Sequence, residues 1–168
     1  MAATIQIHEM SALATGTDKT SSTVRFKDAD NATVDANNPL VIPGAGSIYS
    51  YTKKVRAYME APPNTNITNM RWYADGTNSF GTGISVTAKN IGVTWGANYK
   101  TAMSGGSDLF GYTSVAPLDG DGTDAGPFVP ADDDSYIGDL IELQMAVAST
   151  ASSGTLVAES LTLAYDEV

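Results

Sequence analysis

The stretch Ile141-Glu142-Leu143-Gln144-Met145-Ala146-Val147 places an apolar side chain at every second position, with glutamate, glutamine or alanine between. Side chains of a β-strand point alternately to its two faces, so this period of two predicts a strand with one buried face. The apolar spacing of i, i+3, i+4 and i+7 that is typical of helices is almost absent from the chain. The sequence therefore predicts an all-β protein.

The same alternation recurs along the chain. It runs from Tyr49 to Met59, interrupted by Lys53, which we interpret as an inward lysine of the kind that protects a sheet edge. Ala61-Pro62-Pro63 then ends the strand, since proline cannot donate to a sheet. The remaining predicted strands cover residues 4–9, 23–27, 67–72, 84–88, 93–95 and 161–165. About seven or eight strands favour a two-sheet sandwich of the jelly-roll or Ig-like kind.

Two local structures and one long loop are also predicted. The turn-rich residues 149–154 predict a carboxy-terminal hairpin between residues 141–147 and 161–165, and residues 97–103 a short helical turn. Residues 101–136 are rich in glycine, aspartate and proline, and a loop of this length is usually functional or disordered. The alternative is a solvated insertion held down by its few aromatic side chains.

Length and composition bound the remaining possibilities. The 168 residues fit one domain, residues 1–168, with residues 1–22 as a candidate arm that lies on a neighbouring subunit. The absence of cysteine excludes disulfides, thiolate zinc sites and cysteine nucleophiles. The chain shows neither a signal peptide nor about 18 consecutive apolar residues, so we expect a protein made in the cytoplasm that does not enter membranes.

Charge is distributed very unevenly. The first hundred residues contain nine cations and seven acids, whereas the last 68 contain twelve acids and no cation. With a pI near 4.2 the chain should repel nucleic acid. Its one basic cluster is Lys53, Lys54 and Arg56. We hypothesise that this cluster contacts the acidic loop of a neighbouring subunit, a head-to-tail contact that could close a ring. The acidic contact residues would be Asp119, Asp121 and Asp124.

The same acidic loop is also a candidate calcium site. Residues 119–124, Asp-Gly-Asp-Gly-Thr-Asp, supply hard oxygen ligands on a flexible backbone. Thr123 stands where an EF-hand carries a third acidic ligand, however, and Asp124 where it carries glycine. A solvated acidic turn is the favoured alternative, and we expect the chain to need no cofactor.

No catalytic arrangement stands out. His8 is the only histidine, so it would have to be the base of any Ser-His-Asp triad, and its polar position in the first strand favours a surface or inter-subunit histidine. Glu142 and Glu159 could face each other across the predicted hairpin as a glycosidase pair, although exposed hairpin acids are the simpler interpretation. The sequence therefore predicts a protein that is not an enzyme.

Aromatic residues offer an alternative function. Trp95, Tyr99, Phe110 and Tyr112 could form a platform on which a sugar ring stacks, as in a carbohydrate-binding or adhesive β-sandwich. Trp72 shares its parity with Met70, and for this tryptophan burial in the core is the favoured prediction.

Two segments carry a resemblance to a known group of proteins. They are residues 55–73, two strands separated by Ala61-Pro62-Pro63, and the closing Leu161-Thr162-Leu163-Ala164-Tyr165-Asp166-Glu167-Val168. Both resemble β-sandwich virion structural proteins of tailed bacteriophages. The resemblance implies a capsid decoration (cement) subunit located in the virion, which binds the major capsid protein or other virion subunits without catalysis. It also implies a homo-oligomer, with a trimer favoured, and leaves a tail or neck accessory protein as a further alternative.

Overall fold

The computed structural model describes residues 2–31, 33 and 36–168, and Met1 of the predicted arm lies outside them. The chain is nearly all-β, with two antiparallel sheets of seven and three strands in a sandwich-like arrangement, which confirms the predicted fold class. The strands are β1 (Thr4–Ala12), β2 (Thr15–Asp18), β3 (Ser47–Tyr49), β4 (Lys53–Ala61), β5 (Ile67–Tyr73), β6 (Ile84–Asn90), β7 (Ser107–Asp108), β8 (Leu118–Asp119), β9 (Ser135–Ala148) and β10 (Thr162–Glu167). Two 3-10 turns cover Leu109–Gly111 and Pro130–Asp132.

The large sheet is organised around β9. Its strand order is β2-β1-β4-β9-β6-β7, and β3 also pairs with β9, beyond the end of β4. The small sheet has the order β10-β5-β8. The predicted strand at residues 141–147 is thus the carboxy-terminal half of a 14-residue strand at the centre of the molecule.

The main core lies between the two sheets. Alternate residues of β4, β6 and β9 supply Val55, Val86 and Ile141, all fully buried, and β5 supplies Met70 and Trp72 from the other side. The prediction that Trp72 is a core residue is confirmed, because only 1% of it is exposed.

An irregularity in β9 shapes one face of the large sheet. Ile141 pairs with Val55 and Ile137 with Ala57, so three residues of β9 face the single residue between them on β4. Gly138, in this bulge, has φ +67, a conformation that glycine adopts without strain. The backbone amides of Asp139 and Leu140 do not donate to β4. They donate instead to the carbonyls of Gly120 and Gly92, which belong to two loops. The bulge therefore holds two long loops against this face.

The predicted carboxy-terminal hairpin is wrong. β10 pairs with β5 in the small sheet, and the connection of residues 149–161 carries the chain from one sheet to the other. Alternating residues indicate that a segment is a strand, but they do not identify its partner when thirteen residues separate two strands.

Other local predictions also need correction. Residues 23–27 and 93–95 are not strands, and residues 97–103 are not helical. Lys53 does not protect an edge, because β4 lies between β1 and β9. Within the predicted arm, residues 4–18 form β1 and β2 of the large sheet, and contact of the arm with a neighbouring subunit stays a prediction. The long loop contains β7, β8 and both 3-10 turns, and these turns are the only helical segments among the described residues, none of them long and apolar enough to cross a membrane.

Candidate functional site

The three cations predicted to contact a neighbour lie inside the molecule. Lys53, Lys54 and Arg56 are 3%, 1% and 7% exposed. Each has a carboxylate of the same chain: Lys53 Nζ lies 3.0 Å from Glu9, Lys54 Nζ 3.0 Å from Glu142, and Arg56 Nη2 2.7 Å from Asp124. The proposed contact with a neighbour stays a prediction, and within the chain these three cations pair with internal carboxylates.

The surroundings of Lys54 explain how a charged lysine is tolerated in the sheet. Its ammonium group donates to Asn98 Oδ1 at 2.8 Å and lies 5.2 Å from the ring centre of Trp95. Tyr99 donates its hydroxyl to Glu142 at 2.9 Å, and burial together with this carboxylate raises the pKa of Tyr99 to about 12. Residues 91–104 thus cover the polar face of the sheet through specific contacts.

Arg56 joins the β9 bulge to the acidic loop. Its Nε donates to the Gly138 carbonyl at 2.7 Å, while its Nη2 donates to Asp124. Asp139 is only 1% exposed and accepts the backbone amides of Thr123 and Asp124 at 2.9 and 2.7 Å. A buried carboxylate is stable where several hydrogen-bond donors surround it. Asp139 therefore fixes the acidic loop in place through the two backbone amides that it accepts.

The other two acids of the predicted contact also bond to the chain itself. Asp119 accepts the amide of Asp121, and Asp121 accepts the amide of Met70 at 3.1 Å. Burial, followed by the neighbouring Asp119 carboxyl, raises the pKa of Asp121, against the opposing effect of the Met70 amide. Within residues 2–31, 33 and 36–168, no three acidic or histidine side chains are grouped as metal ligands.

The rings of the predicted sugar platform have different environments. Trp95 and Tyr99 are half-buried beside Lys54. Phe110 is 6% exposed and packs edge-on against Phe80, with 5.9 Å between ring centres. Because Phe110 is a core residue, its face is unavailable to a sugar. Tyr112 is half-buried, and its carbonyl accepts the amide of residue 74.

The two glutamates weighed as a catalytic pair do not face each other. Glu142 is buried against Lys54 on β9, whereas Glu159 lies in the connection to β10 and accepts the amide of Ser79. The interpretation of both as exposed hairpin acids is wrong, because β10 pairs with β5 and not with β9, and because Glu142 is buried against Lys54.

A cleft that the sequence did not reveal lies over the start of β9. We call it the aromatic cleft and define it by His8, Tyr58 and Tyr136, which adjacent strands β1, β4 and β9 place side by side. His8 stacks on Tyr58 with 4.7 Å between ring centres and an interplanar angle of 13°. Tyr136 meets both rings edge-on, at 5.5 and 5.1 Å. The cavity has a volume of about 720 Å³, and its wall includes Arg56 and Asp134.

Hydrogen bonds fix the rings of the aromatic cleft. His8 Nδ1 lies 3.1 Å from the Tyr136 hydroxyl, and His8 Nε2 lies 2.7 Å from Gln6 Oε1. Burial lowers the pKa of His8 below its ordinary value of 6.5, although Asp18 and Glu60 act in the opposite direction. The predicted surface histidine is therefore a buried residue, 8% exposed and uncharged at neutral pH.

A second cavity lies beside the small sheet. It has a volume of about 450 Å³, and its wall includes Asn66, Asp121, Pro127 and Val168. The side-chain oxygen of Asn66 is buried there without a hydrogen-bond partner. Its wall has none of the aromatic rings that make the aromatic cleft the better candidate for a binding site.

Comparisons with protein-family models, with curated proteins and with solved structures find no match to this chain.

Proposed function

We propose that the chain is a non-enzymatic structural subunit that docks onto a larger particle, in the specific form of a capsid decoration subunit of a tailed bacteriophage. The observation that carries the proposal is the pairing of cations within the chain. Within residues 2–31, 33 and 36–168, at least six lysine and arginine side chains make ion pairs with carboxylates of the same chain. The net charge of −10 is therefore carried by acids that outnumber the cations, and many of these acids are exposed.

An acidic surface of this kind favours particular partners. Exposed acids are spread over the sequence: Asp18, Glu60, Asp75, Asp108, Asp119, Asp133, Asp134 and Glu167. Such a surface repels nucleic acid and further copies in solution, and it attracts a basic protein surface. The major capsid protein or another virion subunit is the proposed partner, and a homo-oligomer, with a trimer favoured, is the proposed state on the particle.

Decoration requires no chemistry. A subunit that binds the assembled shell but not its dissociated parts shifts the equilibrium toward the shell by mass action. The buried polar face of the large sheet supports this role, because its ion pairs and hydrogen bonds hold residues 91–104 and 119–125 in one arrangement and so give a partner a rigid surface.

The test is to locate the chain on particles. Tailed-phage particles purified from the source of the sequence are labelled with gold-conjugated antibody against the chain and viewed by electron microscopy. Label at regular positions on the head supports decoration, and label confined to the tail or neck supports the accessory alternative. Particles without label would refute the proposal.

A further inference from the structure

We propose that the aromatic cleft receives a basic side chain, lysine or arginine, of the protein on which the subunit docks. The identification of that protein as a virion subunit rests on the proposed function. The cation-binding chemistry of the cleft rests only on its own residues.

The cleft has the form of a receptor for a side chain. The wall of the cleft includes the turn between β1 and β2, with Leu13 and Thr15, and also Asp134. A volume of about 720 Å³ lies within the range of ligand sites and exceeds what one side chain fills, so part of the partner's backbone would also enter. Leu13 is 40% exposed and offers an apolar contact for the aliphatic stem of lysine or arginine.

Three aromatic rings line the cleft: Tyr58 and Tyr136 are half-buried and offer ring surface to it, while His8 is buried and stacks on Tyr58. A cation within about 6 Å of an aromatic face is attracted by the negative potential of the ring. The rings of His8 and Tyr58 stack nearly in parallel, and the ring of Tyr136 packs edge-on against that of His8. The three rings are therefore preorganised in the absence of a ligand. Rings that are already fixed lose little conformational entropy on binding.

The charges around the rings also select a cation. Asp134 lies 3.4 Å from the Tyr58 hydroxyl, and Asp18 and Glu60 are near enough to act on His8. Arg56 is the one cation in the cavity wall, and Asp124 neutralises it at 2.7 Å. His8 is uncharged at neutral pH because burial lowers its pKa. The local field is therefore negative.

The two lysines on the same strand as Tyr58 are not available to the cleft. The other two basic residues of β4, Lys53 and Lys54, are buried and paired with Glu9 and Glu142. These side chains cannot turn toward the cleft without leaving a carboxylate unpaired in the interior.

The first experiment titrates the whole chain with N-acetyl-arginine amide and, separately, with N-acetyl-citrulline amide, which has nearly the same shape without the charge. Aromatic proton–carbon NMR spectra report on His8, Tyr58 and Tyr136. We expect saturable shifts at these three residues with the arginine probe and none with the citrulline probe. Equal responses to both probes, or no response to arginine, would overturn the proposal.

A matched pair of variants tests whether the negative charge in the wall of the cleft attracts the cation. Asp134 has φ +55, a conformation that asparagine tolerates, so Asp134→Asn should keep the backbone. The neighbouring Asp133 is exposed and is not part of the cavity wall, which makes Asp133→Asn the control. We expect Asp134→Asn to weaken binding of the arginine probe by about threefold, and Asp133→Asn to change it by much less. Equal effects of the two substitutions would show that only net charge matters.

Particle binding separates the two proposals. If the wild-type chain binds the arginine probe but no particle, the proposed function fails and the cation-binding chemistry stands. If the chain binds particles and Asp134→Asn binds them as well as Asp133→Asn does, the subunit function stands and the assignment of the cleft to docking is overturned. Weaker binding of particles by Asp134→Asn alone supports both.

Discussion

Lys54 Nζ and Glu142 Oε1 lie 3.0 Å apart on adjacent strands, and the two side chains are 1% and 5% exposed. Transfer of two charges from water to such a site costs roughly several kcal/mol per ion. The pair is stable only where its geometry and further hydrogen bonds offset this desolvation cost. Asn98 and Tyr99 supply those bonds from residues 91–104. The pair therefore links the centre of the large sheet to the loop that covers it.

The first prediction concerns this pair. Lys54→Met should lower the free energy of unfolding by about 3–5 kcal/mol, because Glu142 would remain buried without its cation. Adding Glu142→Leu should recover most of the loss, since an apolar pair of similar volume removes the unpaired charge. Denaturant unfolding curves measure both variants.

An exposed ion pair is the control for that comparison. Arg71 and Asp166 pair at 2.6 Å with side chains 32% and 52% exposed. Arg71→Met should cost no more than about 1 kcal/mol, because solvent screens such pairs. A loss at Lys54 no greater than the loss at Arg71 would contradict the role assigned to the buried pair.

The second prediction concerns the β9 bulge. A Cβ atom added to Gly138 would lie 2.7 Å from the Gly120 carbonyl, at φ +67. Gly138→Ala should therefore destabilise the chain by about 1–3 kcal/mol through strain and displacement of the acidic loop. Gly44→Ala is the control, because nothing lies within 4 Å of the added atom. Similar melting temperatures for the two variants would contradict the assigned geometry.

The third prediction concerns pH. The pKa of His8 is lower in the folded state than its ordinary value of 6.5, so the unfolded chain binds a proton first as the pH falls. The stabilising contribution of neutral His8 is complete above pH 6.5 and is lost as the pH falls through the folded-state pKa. Unfolding free energies between pH 8 and about pH 5.5 should fall more for the wild type than for His8→Asn. Parallel curves would contradict the prediction. The comparison with the variant is needed because Asp121, whose pKa is raised, contributes with the opposite sign.

The fourth prediction concerns the approach of β2 to the aromatic cleft. A Cβ atom on Gly16 would lie 2.8 Å from Met10 Sδ and 2.9 Å from the Tyr136 hydroxyl. Gly16→Ala should therefore move the ring of Tyr136 and weaken binding of the arginine probe by about threefold or more, because the rings lose their arrangement. NMR titration measures the effect, and unchanged binding would show that the ring positions do not matter.

The strands were predictable where one face is apolar. Residues 84–88 alternate cleanly and residues 70–72 continue the same pattern from Met70, and both predicted segments, 67–72 and 84–88, lie in strands, β5 and β6. The proline pair also marks the end of β4 correctly, at Ala61. These signals are local, since they depend on side-chain period and on the missing amide of proline.

The buried polar face could not be predicted from local patterns. Lys53, Lys54 and Arg56 look like a solvated basic cluster in the sequence, because their carboxylates are 44 to 88 residues away along the chain. His8, Tyr58 and Tyr136 come from three strands whose pairing the sequence does not specify. The signal that could have found them is the presence of aromatic residues at polar positions of strands, combined with a correct strand order.

The most direct test of the account is sedimentation of the fluorescently labelled chain with intact source particles and with the same particles dissociated into subunits. The account predicts that the chain sediments with intact particles, that binding weakens as salt is raised, and that dissociated subunits do not bind it. Equal binding to intact and dissociated particles, or no binding to either, would contradict the central claim that this acidic β-sandwich stabilises an assembled shell.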